Sequence, residues 1–270
     1  MTHAEPASLP PPIAEVRGRR ALVTGAASGI GAGLVERFAA EGATVVATDV
    51  DDDDGRGLAE AAGAAYHHLD VADPTAWDRL AAAVGPIDVA CLNAGVVAGA
   101  TDLGALDLDV LERTVRVNVD GVLVGLRALL VHQMLRVPAV VLVTSSLGGL
   151  TAMPSDPVYA ATKHAAVGLV RSAAPQLAGR GIRLQALCPG IVDTPMLSTA
   201  FRTELHAAGY PLISVDAAVD GAIAALRSRG TGEAWVVQAG RAPEPYRFRG
   251  VPGTRVPGAE GRIPPGVPGG

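Results

Sequence analysis

Between residues 19 and 240 the chain alternates seven short, apolar, β-branched runs with longer segments of helical period, and no other feature limits its fold so tightly. The runs cover 21–24, 44–48, 65–69, 89–92, 140–144, 184–187 and 234–238; helical period fills 30–41, 74–84, 106–134, 157–178 and 215–228. Runs that are apolar throughout need cover on both faces, and a helix between successive strands leaves those strands parallel. The expected architecture is α/β: a doubly wound, seven-stranded parallel sheet with helices on both faces.

Composition bounds what such a fold can do. Hydrophobic residues make up 49% and charged residues 18%, enough apolar surface for one sizeable core. A single catalytic domain is expected over 17–240, with a flexible leader over 1–16 and a Pro/Gly-rich tail over 241–270. From 250 to 270, 12 of 21 residues are Gly or Pro with no hydrophobic period, so the tail is read as largely disordered. A net charge of -5 argues against a nucleic-acid partner, for which only the tail arginines speak. The apolar stretch 119–131 is broken by Asp120 and Arg127, and the N-terminus has no apolar core of a signal peptide, so neither a membrane nor a secretory role is expected. Two cysteines, Cys91 and Cys188, suit a reducing, cytoplasmic setting, and no His/Cys/carboxylate cluster has metal-ligand spacing.

The first run leads into Thr24-Gly25-Ala26-Ala27-Ser28-Gly29-Ile30-Gly31 and then directly into a helical segment. Glycine permits a tight turn and close backbone approach to a pyrophosphate, whose charge the free N–H groups of a helix N-terminus accept. Further on, Asp156-Pro157 reads as an N-cap and first helical residue, which places Tyr159 and Lys163 on one face of the first turns. An ammonium beside a phenol favours phenolate and lowers the tyrosine pKa from about 10 toward working pH. Ser146 lies 13 residues before Tyr159, with Ser145 as its adjacent competitor. Residue usage adds weight: the 22 basic residues include one lysine, Lys163, and the chain has two asparagines, Asn93 and Asn118.

The Gly-x-x-x-Gly-x-Gly spacing of Gly25, Gly29 and Gly31, with Ser146 and Tyr159-x-x-x-Lys163, resembles the short-chain dehydrogenase/reductase family, a Rossmann-type fold, over about residues 17 to 240. The resemblance implies Tyr159 as acid/base, Lys163 as its modulator and a ribose ligand, Ser146 as the group steadying the substrate oxygen, and Asn118 as holder of a relay water. It implies cofactor contacts from Gly25, Ser28, Gly29, Ile30 and Gly31, from Asp70 and Val71 at the adenine, from Asn93-Ala94-Gly95, and from Pro189, Gly190, Val192 and Thr194 at the carboxamide. Asp49, 18 residues past Gly31, suits ribose hydroxyls and repels a 2'-phosphate, so NAD is expected over NADP. Asp51 to Asp54 add negative charge there, and read as a solvated loop rather than a metal site. Departures from the family pattern are Leu92 before Asn93, Gln185, and Pro175 within a helix.

Residues 196–214 are expected to cover the substrate, with an apolar face from Leu197, Phe201 and Leu205. With Val96, Val97, Leu147 and Met153 they suggest a lipophilic secondary alcohol or ketone, such as a steroid-like, terpenoid or hydroxy-fatty-acid compound. The rival readings are an NADPH-linked ketoreductase of acyl or polyketide metabolism and a non-catalytic NAD-binding scaffold. By resemblance the assembly is a homodimer or homotetramer.

Overall fold

The computed structural model describes residues 9–250 and 252–263. Its strands are β1 (Arg20–Thr24), β2 (Thr44–Asp49), β3 (Ala65–His68), β4 (Ile87–Leu92), β5 (Leu135–Thr144), β6 (Ile182–Pro189), β7 (Ala234–Val237) and β8 (Glu244–Pro245). They form one sheet in the order β3-β2-β1-β4-β5-β6-β7-β8. The seven expected strands are parallel, and β8 pairs antiparallel with β7 at the edge. Winding runs outward from β1 in one direction and from β4 in the other, so a crevice opens at their carboxyl ends, where doubly wound sheets bind ligands.

The helices are α1 (Gly29–Ala40), α2 (Asp52–Ala62), α3 (Pro74–Ala83), α4 (Leu108–Val115), α5 (Gly121–Val131), α6 (Pro157–Ala178), α7 (Thr199–Ala207) and α8 (Val215–Arg227). Alternation along each strand sends successive side chains to opposite cores. Val141 and Val143 pack with Trp77, Leu126, Leu129 and Val170 of α3, α5 and α6. Val140 and Leu142 pack with Leu34, Phe38, Val219 and Ile223 of α1 and α8.

Several segments depart from expectation for identifiable reasons. The acidic run begins α2: Asp51 caps it by accepting from the Asp54 N–H, and Asp52, Asp53 and Asp54 occupy the first turn, where the helix dipole favours negative charge. The long segment 106–134 divides into α4 and α5, joined by a π-helical turn over Arg116–Asp120. Residues 9–16 are not free chain, because Ile13 and Val16 are buried in the α1/α8 core. They are tied down by Arg183, whose buried guanidinium donates to Pro11 O (3.1 Å), Leu226 O (3.3 Å) and Ser228 O at the carboxyl end of α8. Past residue 240, Tyr246 and Phe248 stack edge to face at 4.9 Å, and the Arg171 guanidinium lies 3.7 Å over Phe248. Gln185 is fully buried and bonds Gly230 O (2.9 Å), Glu233 Oε2 (3.2 Å) and Glu233 N (3.0 Å), a role suited to its length. Pro175 sits in the last turns of α6, where only the Arg171 carbonyl loses a helical donor.

Trp77 of α3 links the helix layer to the crevice. Its indole N–H donates to Val71 O (2.9 Å), and its ring fills the space beside Gly125, where a Cβ would stand 2.8 Å away. Trp77→Ala is expected to lower the unfolding free energy by about 3–5 kcal/mol in urea titration, and a loss below about 1 kcal/mol would contradict this packing.

Candidate active site

The glycine turn is shaped by what stands behind it. Gly25 has φ +64°, and a Cβ there would lie 2.7 Å from Ala94 Cα; a Cβ on Gly31 would collide with Gly25 O. Only glycine lets the α1 start lie so close beneath the turn. Ser28, the N-cap of α1, makes no side-chain cap bond, so the first N–H groups of the helix are not answered by its hydroxyl. This cradle fits an anionic dinucleotide, and the donors are backbone groups of the kind that bind phosphate.

Next to the turn, Asp49 accepts from Ala27 N (2.9 Å), Val50 N (2.7 Å) and Asp51 N (3.1 Å), which fixes its carboxylate at the end of β2. Asp70 accepts from Ala72 N (2.9 Å) and pairs with Arg116 at 2.6 Å. Asn93 joins three strand ends: Nδ2 donates to Thr24 O (3.1 Å) and Gly25 O (3.2 Å), and Oδ1 accepts from Thr144 Oγ1 (3.0 Å). The Thr24 hydroxyl accepts in turn from Asn93 N (2.9 Å) and Ala94 N (3.1 Å).

The start of α6 brings the chemistry. Asp156 caps it by accepting from Tyr159 N (3.0 Å), and its other oxygen accepts from Ala98 N (3.0 Å) and Gly99 N (2.7 Å), so one carboxylate anchors both the helix and the facing loop. Tyr159 and Lys163 are buried one turn apart, with Nζ 5.5 Å from the phenol centroid and donating to Thr144 O (3.0 Å). Both Ser145 and Ser146 line the cleft, but Ser145 is buried and donates to Lys163 O (2.9 Å), whereas Ser146 is half-buried and accepts from Gly148 N (3.1 Å). Asn118, in the π-helical turn, clasps Val96 through its N–H and C=O (both 2.8 Å) and donates to Thr162 Oγ1 (3.0 Å). Thr162 donates to Tyr159 O (2.7 Å), which ties this clasp to α6.

Electrostatics run against the expected priming of the phenol. Burial pushes Tyr159 up to about 12, an effect that the Ser146 hydroxyl opposes, and burial pushes Lys163 down to about 8. Desolvation disfavours both charged forms, so proximity of the ammonium does not win here. Burial likewise pushes the Cys91 and Cys188 thiols up to about 12, as suits inert core thiols.

These groups line one cleft of about 1070 Å³ along the carboxyl edge of the sheet. Gly25, Ser28, Gly29, Ile30, Asp49, Asp70, Val71, Asn93, Ala94 and Gly95 wall it beyond the ends of β1 to β4. Ser146, Tyr159, Lys163, Pro189, Gly190, Val192 and Thr194 wall it beyond the ends of β5 and β6 and at the start of α6. Gly31 and Asn118 stand behind the wall. The sequence reading did not single out Thr162, Arg116, Glu204 or Tyr210. Only the place of Thr162 directly before Lys163 was a local signal. Among the described residues no helix is long and apolar enough to cross a membrane, and no group of three or more His, Cys, Asp or Glu is placed to hold a metal ion.

Comparison with known proteins agrees with this geometry. The short chain dehydrogenase family matches residues 19–205. The chain is 36% identical to 3-alpha-(or 20-beta)-hydroxysteroid dehydrogenase of Mycobacterium tuberculosis, over 72% of this chain and 78% of that one. It is 40% identical to 1-deoxy-11-beta-hydroxypentalenate dehydrogenase of Streptomyces exfoliatus, over 66% and 69%. The crystal structure of 3-ketoacyl-(acyl-carrier-protein) reductase from Brucella melitensis with NADH superposes with a TM-score of 0.77 at 30% identity, covering 84% of this chain and 99% of that one. Fold, cleft and relatives define an oxidoreductase acting on alcohols or ketones, of a class that works with a nicotinamide cofactor. The chain belongs to the short-chain dehydrogenase/reductase family.

The buried lysine carries a stability prediction. Its folded pKa of about 8 lies below the ordinary value of 10.5, so between those limits the unfolded chain binds more protons and stability rises with pH. The cost of burying the ammonium is fully present below about 8. Lys163→Met is therefore expected to raise Tm at neutral pH, with the gain shrinking as pH rises toward 10.5; a pH-independent difference in calorimetry would contradict it.

Proposed function

We propose that the protein is an NAD-dependent dehydrogenase that interconverts a lipophilic secondary alcohol and its ketone. The observation that carries this reading is the buried Tyr159–Lys163 pair with Ser146, in the same cleft as the glycine turn. The turn amides of Gly25 to Gly31 would hold the pyrophosphate, Asp49 and Lys163 the two riboses, Asp70 and Val71 the adenine, and Pro189, Gly190, Val192 and Thr194 the carboxamide. Bound NAD supplies the hydride acceptor. Ser146 would steady the substrate oxygen, and Tyr159 would take its proton once its own proton has passed to the relay toward Lys163, a loss that the positive charge of a bound oxidised nicotinamide would favour. A Cβ on Gly95 would stand 3.0 Å from Lys163 Nζ and 3.3 Å from Asn118 Oδ1, so this glycine keeps clear the gap in which a relay water fits.

Cofactor preference follows from charge. The Asp49 carboxylate would repel a 2'-phosphate, and among the described residues no arginine lines the cleft to answer such a group. That argues for NAD and against an NADPH-linked ketoreductase. Apolar walls from Val97, Leu147, Met153, Met196, Leu197 and Phe201 support a lipophilic substrate, as do the names of the steroid and pentalenate relatives. Leu205 of α7 is buried and does not line the cleft. A homodimer or homotetramer belongs to the same reading, supported by exposed Leu108, Leu123 and Val131 on α4 and α5.

Tyr159→Phe is expected to cut kcat/KM for alcohol oxidation by about 10²–10⁴-fold without loss of NAD binding; retained turnover would refute the mechanism. Titration should show NAD bound at least about tenfold more tightly than NADP, with Asp49→Ser narrowing the gap; equal affinities would refute the cofactor assignment. Light scattering that finds only monomer would count against the assembly.

A further inference from the structure

Among the described residues five charged side chains line the cleft: Asp49, Asp70, Asp156, Lys163 and Glu204. Four are committed to partners. Asp49 and Asp156 are held by backbone N–H groups, Asp70 by Arg116, and Lys163 by the Thr144 carbonyl. Glu204, on α7, has no side-chain hydrogen bond or ion pair among the described residues. The nearest candidate on the same helix, Arg202, is spent on Asp193 and on Thr194 O (3.0 Å). That anchoring, the Ser198 cap and buried Leu205 fix the helix, and Glu204 stands exposed on the rim of the cleft that Phe201 and Tyr210 also line.

Glu204 is exposed at the mouth of the cleft, whereas Tyr159 is buried within it, so the carboxylate stands away from the reacting phenol. Among the described residues no arginine or histidine lines the cleft to neutralise it. We propose that Glu204 is a specificity-determining residue. It selects substrates whose end remote from the reacting carbon is neutral or cationic, and rejects those bearing a carboxylate or a phosphate-linked carrier there. This rests on the dehydrogenase reading and narrows it, since an apolar cleft alone would accept a hydroxy-fatty acid as readily as a neutral alcohol.

The test uses secondary alcohols that share one carbon chain and end in a methyl, a carboxylate or an ammonium group, in a graded series of lengths. Wild-type protein and Glu204→Gln are compared by kcat/KM with NAD, and by calorimetric Kd for the same compounds. In Glu204→Gln the carboxylate-to-methyl ratio is expected to rise about fivefold and the ammonium-to-methyl ratio to fall by a similar factor, as for a charge pair in a partly solvated site. The change should lie in KM rather than kcat and shrink at high salt. Ratios that stay fixed, or that move together, would overturn the proposal. If no alcohol reduces NAD even with wild-type protein, the dehydrogenase reading fails, and the ratios of dissociation constants still decide the role of Glu204.

Discussion

The hydrogen-bonded node of Thr24, Asn93 and Thr144 holds together the carboxyl ends of β1 and β4, between which the winding of the sheet reverses, and of the neighbouring β5. The middle of the cleft hangs from it. Gly25 follows Thr24, Ala94 and Gly95 follow Asn93, and Ser145 and Ser146 follow Thr144, while the Thr144 carbonyl receives the Lys163 ammonium. Side-chain amides and hydroxyls do this work because strand ends leave backbone groups without ladder partners, and in a buried crevice each unpaired group is costly.

Around that node the cleft trades stability for chemistry. A lone buried ammonium with a single carbonyl partner is an expensive feature, and a phenol raised to about 12 is not a ready base. Both costs arise from desolvation, which also strengthens any interaction formed inside the cleft. The local arrangement is thus poised for charge brought by ligands, and it explains why proximity of Lys163 alone does not prime Tyr159.

Most of the fold was legible because its signals are local. The seven apolar runs, the glycine turn, the Asp156-Pro157 helix start and the Tyr159/Lys163 spacing each depend on residues within a few positions of one another. What was not legible depends on distant pairs. The second oxygen of Asp156 reaches Ala98 and Gly99, Arg116 reaches Asp70, and Arg183 reaches Pro11, none of which any periodicity announces. The acidic run was misread for a different reason: four aspartates look like solvated loop, yet one caps and three suit the positive end of α2. Likewise Ile13 and Val16 sit in a Pro-rich stretch whose composition conceals two core side chains.

The most direct test is a crystal structure with NAD and a secondary alcohol or ketone bound. The account predicts the pyrophosphate on the Gly25–Gly31 turn, Lys163 Nζ hydrogen-bonded to the nicotinamide ribose, and Tyr159 Oη within about 3 Å of the substrate oxygen. A nicotinamide ring bound away from Tyr159, or a dinucleotide that does not touch the glycine turn, would contradict it.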